Sequence, residues 1–191
     1  LNRLHDVGEI WTLDYPWQDG FWDTSSVVID SLSTRFGGRE LYLVGYSKGG
    51  LLARAVVRNN ETQGASLAII KAIFLGTPHY GTTEPIEWLS YYEVDQSVLA
   101  LLSVSLSAID GIAEMNGIWS PALNSLNQPL AFSAAPPGYL CIIGDYQGAG
   151  NDLVVPSISA DLALEIHSGE REQATYASTL ITSHDHDGLP Y

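Results

Sequence analysis

The pentapeptide Gly45-Tyr46-Ser47-Lys48-Gly49 constrains this chain most strongly, because it lies between an apolar run and a helix-like segment. Residues 40–44 predict a strand, and residues 49–59 predict a helix. The pattern G-x-S-x-G at a strand-to-helix junction indicates a sharp turn in which glycines let the two elements approach each other. Such a turn strains the serine backbone and lifts its hydroxyl out of the sheet edge. The alternative is an ordinary Gly-rich turn, since short motifs also match by chance.

Strand and helix patterns alternate through the first 75 residues. We predict strands at 7–14, 40–44 and 67–75, and helices at 21–36 and 49–59, with Gly37-Gly38 ending the first helix. This alternation is typical of an α/β protein with a mostly parallel sheet in three layers, with helices on both faces. Ligands of such sheets bind at the carboxyl ends of the strands, where Ser47 lies.

The alternation breaks at residues 83–137, where apolar side chains recur at helical spacing between Val94 and Ile112. We interpret 83–137 as a helical insertion that covers the site, and an ordinary core-packing helix is the alternative. Strand patterns return at 139–143 and 176–182, with a shorter candidate at 162–166. The length of 191 residues predicts a single domain over 1–191.

Composition excludes several classes of protein. The net charge is −14 with only 8 Lys and Arg, so nucleic acid is not an expected partner. No apolar stretch is long enough to predict a transmembrane segment. The single cysteine, Cys141, rules out an internal disulfide and is typical of a small buried apolar residue. Compartment and oligomeric state do not follow from these numbers.

Polar residues follow three of the predicted strands. Ser47 comes first along the chain, then Asp152, and then His184 and His186 directly after the last strand. A serine hydroxyl needs a base to accept its proton, and the base needs a carboxylate to fix its tautomer. The order serine, acid, histidine therefore predicts a serine hydrolase.

Four segments resemble the α/β-hydrolase superfamily, in particular GPI-inositol deacylase-like and bacterial triacylglycerol lipases. Residues 44–51 resemble its nucleophile elbow, 75–81 (LGTPHYG) the segment after the next strand, 120–127 (SPALNSLN) the end of the lid insertion, and 152–156 (DLVVP) the acid segment. The resemblance implies Ser47 as nucleophile, Asp152 as acid and a C-terminal histidine as base. It implies no cofactor and no metal.

The choice of base and acid stays open at this stage. His186 is preferred over His184, because His186-Asp187-Gly188-Leu189 resembles the segment after the family's histidine. Asp145 is an alternative acid without the Val-Val-Pro context. The run His184-Asp185-His186-Asp187 could also ligate a metal, although adjacent acidic loop residues are more often solvated. His79 is predicted to hold its loop by a hydrogen bond.

The oxyanion site is incompletely specified. The backbone N–H of Lys48 is the first expected donor. In the superfamily a second N–H comes from a His-Gly-type loop on an N-terminal strand. We find no counterpart of those N-terminal strands, and the loop Tyr15 to Gly20 is a candidate substitute. One lost donor typically lowers the rate about 10²- to 10³-fold.

Three functions therefore compete. The preferred one is a lipase- or esterase-like hydrolase that cleaves a lipid or small-molecule ester through an acyl-enzyme on Ser47. An acyltransferase would use the same residues with another acceptor. A binding protein with an impaired site is the third, because the second oxyanion donor is unknown.

Overall fold

The computed structural model describes residues 8–82, 113–115, 120–128, 130–132, 135–152, 154–162 and 177–189. Their elements are, in chain order, α1 (Phe21–Phe36), β1 (Glu40–Tyr46), α2 (Lys48–Thr62), β2 (Ala68–Leu75), α3 (Pro121–Leu126), β3 (Gly138–Gly144), a 3-10 turn (Tyr146–Gly148), α4 (Ser157–Ala160) and β4 (Ala177–Thr182). Among the helices described here, we find no candidate for a membrane-spanning segment.

The four strands form one parallel sheet in the order β1-β2-β3-β4. Tyr46 pairs with Leu75, Leu75 with Ile142, and Gly144 with Thr182. Because the strands are parallel and these pairs lie at their ends, the loops after all four strands leave the same edge. The predicted α/β class with a parallel sheet is confirmed.

Helices α1 and α2 pack together on one face of this sheet. Leu51, Ala55 and Val56 of α2 join Phe21 and Ile29 of α1 in one buried cluster. On its other side, α2 contributes Ala53 and Val57 to a second buried cluster. They pack there with strand residues Phe74, Cys141 and Ile143. Since α2 is buried on both flanks, its first residue is fixed firmly at the sheet edge.

The opposite face of the sheet carries exposed apolar side chains. Tyr42, Val44 and Leu180 are each more than half exposed. Helices that would cover this face, as the three-layer prediction requires, are not found among the described residues.

The predicted strand at 7–14 is wrong for the described residues 8–14, which form no strand. Most side chains of this segment are exposed, and Trp11 contacts the end of α1 instead. The rings of Trp11 and Phe36 lie edge to face, with their centroids 5.5 Å apart. The Arg35 guanidinium carbon lies 3.9 Å from the centroid of the Trp11 ring. Alternating apolar residues favour a strand only where a neighbouring backbone pairs with them, and this segment lies against the end of α1.

The predicted insertion at 83–137 falls largely outside the described residues, as does the strand candidate at 162–166 apart from Leu162. Within the insertion, α3 is described. Ser120 caps it, since its Oγ accepts the N–H of Leu123 at 3.1 Å, and Pro121 occupies the first helical position. The single-domain assignment stays a prediction.

Candidate active site

Ser47 lies in the turn between β1 and α2 with φ 51° and ψ −126°. This left-handed backbone is rare for a residue with a side chain and costs about 1–3 kcal/mol. Two hydrogen bonds hold it: Ser47 N donates to the Leu75 carbonyl at 2.9 Å, and Gly50 N donates to the Ser47 carbonyl at 3.0 Å. The side chain is partly exposed at the carboxyl edge of the sheet.

The three glycines around Ser47 differ in how much room they leave for a side chain. A Cβ on Gly45 would lie 2.5 Å from the Gly49 carbonyl oxygen and from the Gly50 Cα. A Cβ on Gly50 would lie 1.8 Å from Thr77 Oγ1. A Cβ on Gly49 would meet only the Tyr15 hydroxyl at 3.9 Å, an ordinary contact. The close approach of β1 to α2 therefore depends on Gly45, and the close approach of the loop after β2 to α2 depends on Gly50.

Asp152 and His186 form a buried pair at the same edge. His186 Nδ1 lies 2.6 Å from Asp152 Oδ2, with both side chains less than 5% exposed. The other carboxylate oxygen accepts the N–H groups of Val154 at 3.0 Å and Val155 at 2.6 Å. His186 N also donates to the Asp152 carbonyl at 2.8 Å. If the Nδ1–H of a neutral His186 ring donates to the carboxylate, Nε2 is left as a proton acceptor.

Two glycines make room for this pair. Gly76 follows β2 with φ 51°, and a Cβ there would lie 2.8 Å from Asp152 Oδ2 and 2.9 Å from His186 Nδ1. A Cβ on Gly144 would lie 2.5 Å from the Asp152 Cβ. The residue after β2 and the last residue of β3 thus approach the pair too closely for any side chain at these positions.

The alternative residues lie elsewhere. The His184 side chain is exposed, and its backbone N–H donates to Thr182 Oγ1 at 3.2 Å. Asp145 Oδ1 accepts the Gly150 N–H at 2.7 Å and so closes its own loop. The structure therefore pairs Asp152 with His186, and neither His184 nor Asp145 takes part in this pair. Among the described residues, no group of three or more His, Cys, Asp or Glu side chains is arranged to hold a metal ion.

Tyr46, which directly precedes Ser47, contacts the histidine loop. Its hydroxyl donates to the His186 carbonyl at 3.1 Å. The two rings lie 4.8 Å apart between centroids, tilted by 36°. Tyr46 therefore links the end of β1 to the loop after β4. The sequence offered no signal for this contact, which joins residues 140 positions apart.

The side chain of Lys48 ties a second loop to this region. Its Nζ donates to the carbonyls of Trp17 and Asp19. Burial lowers the pKa of Lys48, and the nearby carboxylates of Glu114 and Asp19 oppose that effect. The loop Tyr15 to Gly20, the predicted substitute for the second oxyanion loop, is thus held at the start of α2.

The backbone N–H of Lys48 has no hydrogen-bond acceptor among the described residues. As one of the first N–H groups of α2, it has no partner within the helix and lies at the positive end of the helix dipole. It is therefore available to a negatively charged oxygen beside Ser47.

A buried polar network lies behind the site. Arg54 Nη1 of α2 lies 3.3 Å from His79 Nδ1 and donates to Asn127 Oδ1 at 2.9 Å. Asn127 Nδ2 donates to the His79 carbonyl at 3.0 Å. These bonds join segments 75–81 and 120–127 to α2. Burial, and secondarily Arg54, holds the pKa of His79 well below its usual value, and burial raises the pKa of Cys141 to about 11.

We expect acidification to destabilise the protein through His79. Because its pKa is lowered in the folded state, the unfolded state binds more protons below about pH 6.5. The free energy of unfolding should then fall by up to about 1.4 kcal/mol per pH unit as pH drops, until the folded-state pKa is reached. Urea denaturation between pH 7.5 and 5 measures this slope.

The matched variants for this experiment are His79→Gln, which should flatten the slope, and His184→Gln, whose exposed side chain makes it the control that should keep it. A His79→Gln slope equal to that of the wild type would show that the acid sensitivity arises elsewhere.

The chain matches no family model and no curated protein by sequence. Its structure is similar to several solved ones. The mature form of the Bacillus licheniformis lipase BlEst2 is 19% identical with a TM-score of 0.53, over 92% of this chain and 69% of that one. The product of the gene lin2722 of Listeria innocua is 16% identical with a TM-score of 0.56, over 90% and 60%. The type II thioesterase YbtT of the yersiniabactin pathway is 12% identical with a TM-score of 0.53, over 87% and 66%.

These likenesses, together with the parallel sheet, assign the α/β-hydrolase fold to this chain. The structural neighbours include lipases and thioesterases. The finer resemblance to GPI-inositol deacylase-like lipases stays a prediction. The chain spans 60% of the Listeria protein's length.

Proposed function

We propose that this chain is a serine hydrolase that cleaves carboxylic esters through an acyl-enzyme on Ser47. The buried pair of Asp152 and His186, at the same sheet edge as the strained turn at Ser47, is the observation that carries the proposal. A hydrogen-bonded carboxylate and imidazole at the same sheet edge as a partly exposed serine can supply the acid, base and nucleophile of acyl transfer.

In the proposed reaction, His186 Nε2 accepts the Ser47 proton as Oγ attacks the ester carbonyl. The tetrahedral intermediate places its negative oxygen at the N–H of Lys48. Collapse breaks the ester C–O bond, and His186 gives its proton to the leaving alcohol. Water, deprotonated by the same ring, then attacks the acyl-enzyme, and its proton returns to Ser47 Oγ as the acid leaves. Asp152 holds the ring and stabilises the imidazolium throughout.

We expect the acyl group to be apolar. Trp17, on the loop that Lys48 holds, is 53% exposed, and Leu13 just before that loop is 52% exposed. The lipase and thioesterase neighbours act on acyl compounds by their names, which supports an acyl substrate for this chain as well. Lipid or small-molecule esters are the proposed partners.

A p-nitrophenyl ester series from acetate to palmitate, with a matched acyl thioester, tests the proposal. Ser47→Ala should lower kcat by roughly 10⁴- to 10⁶-fold, whereas Ser31→Ala, at an exposed position of α1, should change it less than twofold. Activity surviving in Ser47→Ala would refute the proposal. Product analysis with added alcohol separates the hydrolase from the acyltransferase, and an inactive, folded wild type would favour the binding protein.

A further inference from the structure

We propose that Tyr46 is a positioning residue for the histidine base, acting through His186 and not through the substrate. This inference rests on the proposed function. Two separate contacts carry it: the hydroxyl donates to the His186 carbonyl at 3.1 Å, and the two rings lie 4.8 Å apart. Both originate from the residue next to the proposed nucleophile.

The hydrogen bond fixes the loop that carries the base. His186 lies in a turn after β4, and its N–H and side chain are already held by Asp152. Neither of these two bonds engages the His186 carbonyl, which accepts the Leu189 N–H at 3.3 Å. From the end of β1, the Tyr46 hydroxyl donates to the backbone carbonyl of His186, and it lies 3.5 Å from Asp187 Oδ1. The hydrogen bond thereby holds the base in a fixed position relative to Tyr46, the last residue of β1.

The contact between the Tyr46 and His186 rings is expected to stabilise His186 when that ring carries a positive charge. Proton transfer from Ser47 converts His186 to an imidazolium, and the π-face of a neighbouring aromatic ring attracts a cation. A tilted ring at 4.8 Å is within the range of this interaction. Because the charge exists in the transition state and not in the resting ring, Tyr46 should affect kcat and leave KM nearly unchanged.

Two variants separate the contributions. Tyr46→Phe keeps the ring and removes the hydroxyl, and kcat per active site should fall about 3- to 10-fold, the value of one hydrogen bond. Tyr46→Leu removes both contacts, and kcat should fall about 30- to 100-fold. KM should stay within about twofold for both. The number of active sites is counted by covalent labelling with a fluorophosphonate.

Tyr42 provides the matched control, since it lies on the same strand with its side chain 61% exposed. Tyr42→Phe and Tyr42→Leu should keep the wild-type kcat and KM. A Tyr46→Leu variant whose kcat per labelled site stays within twofold of the wild type would overturn the inference. So would a rise in KM at unchanged kcat, which would make Tyr46 a substrate contact.

A spectroscopic measurement distinguishes failure of this inference from failure of the proposed function, because it needs no activity. The proton between His186 Nδ1 and Asp152 Oδ2 should give a far-downfield NMR signal that is absent in Asp152→Ala. In Tyr46→Phe and Tyr46→Leu this proton should exchange with solvent faster than in wild type, while both Tyr42 variants leave its rate unchanged. Equal exchange rates in all five proteins would contradict the positioning role, whatever the catalytic assays give.

Discussion

Replacing Asp152 with Asn should lower kcat about 10⁴-fold while the protein stays folded. Oδ1 of Asp152 accepts the N–H groups of Val154 and Val155, so an asparagine keeps its oxygen there and places its NH₂ against His186 Nδ1. An NH₂ group donates, which forces the Nδ1 of a neutral ring to accept and moves the ring proton to Nε2. The ring can then no longer take the proton of Ser47.

The control for this experiment is Asp145→Asn. Asp145 accepts the Gly150 N–H through one oxygen, which an asparagine retains, so its kcat should stay within about twofold of wild type. Both variants are compared by steady-state hydrolysis of a short p-nitrophenyl ester, with thermal unfolding as the check on folding. If Asp152→Asn kept a tenth or more of wild-type kcat, the role assigned to the pair would be wrong.

Gly45→Ala should destabilise the protein by about 3 kcal/mol or more. Its Cβ would lie 2.5 Å from backbone atoms of Gly49 and Gly50, and those atoms belong to a helix buried on both flanks. Backbone cannot rotate away as a flexible side chain does, so β1 and α2 must separate and the turn at Ser47 must open. We expect activity to be lost together with stability.

Gly49→Ala is the matched control, because it adds the same methyl group four residues further on with only a 3.9 Å contact to Tyr15. At a helical position alanine should be neutral or stabilising by up to about 1 kcal/mol. Urea denaturation measures both free energies of unfolding. Equal stabilities of the two alanine variants would show that the turn is not held by the close approach of β1 to α2.

Local signals in the sequence predicted most of the sheet and its helices. The apolar runs of β1, β2 and β3 lie within one or two residues of their predicted positions, and α1 ends at Phe36, directly before Gly37, as its glycine pair indicated. The strand predicted at 7–14 is wrong for residues 8–14. Alternation of apolar residues is a local signal, whereas strand formation depends on pairing with a neighbouring strand. The described residues 8–14 pack beside α1 instead.

The sequence proposed residue types for the candidate site, whereas the contacts between them came from the structure alone. The order of Ser47, Asp152 and the C-terminal histidines pointed to one edge of a parallel sheet. The sequence favoured His186 over His184, and the fold buries the His186 ring against Asp152 while the His184 side chain is exposed; the assignment of the base stays a prediction. Gly144, Tyr46 and the side chain of Lys48 left no local signature, because each acts on residues at least eight positions away.

Labelling with a fluorophosphonate probe tests the central claim most directly. The account predicts one covalent adduct per folded wild-type chain, mapped by peptide mass spectrometry to Ser47. It predicts no adduct in Ser47→Ala and strongly slowed labelling in His186→Gln. A folded wild-type protein that stays unlabelled, or an adduct on any other residue, would contradict it.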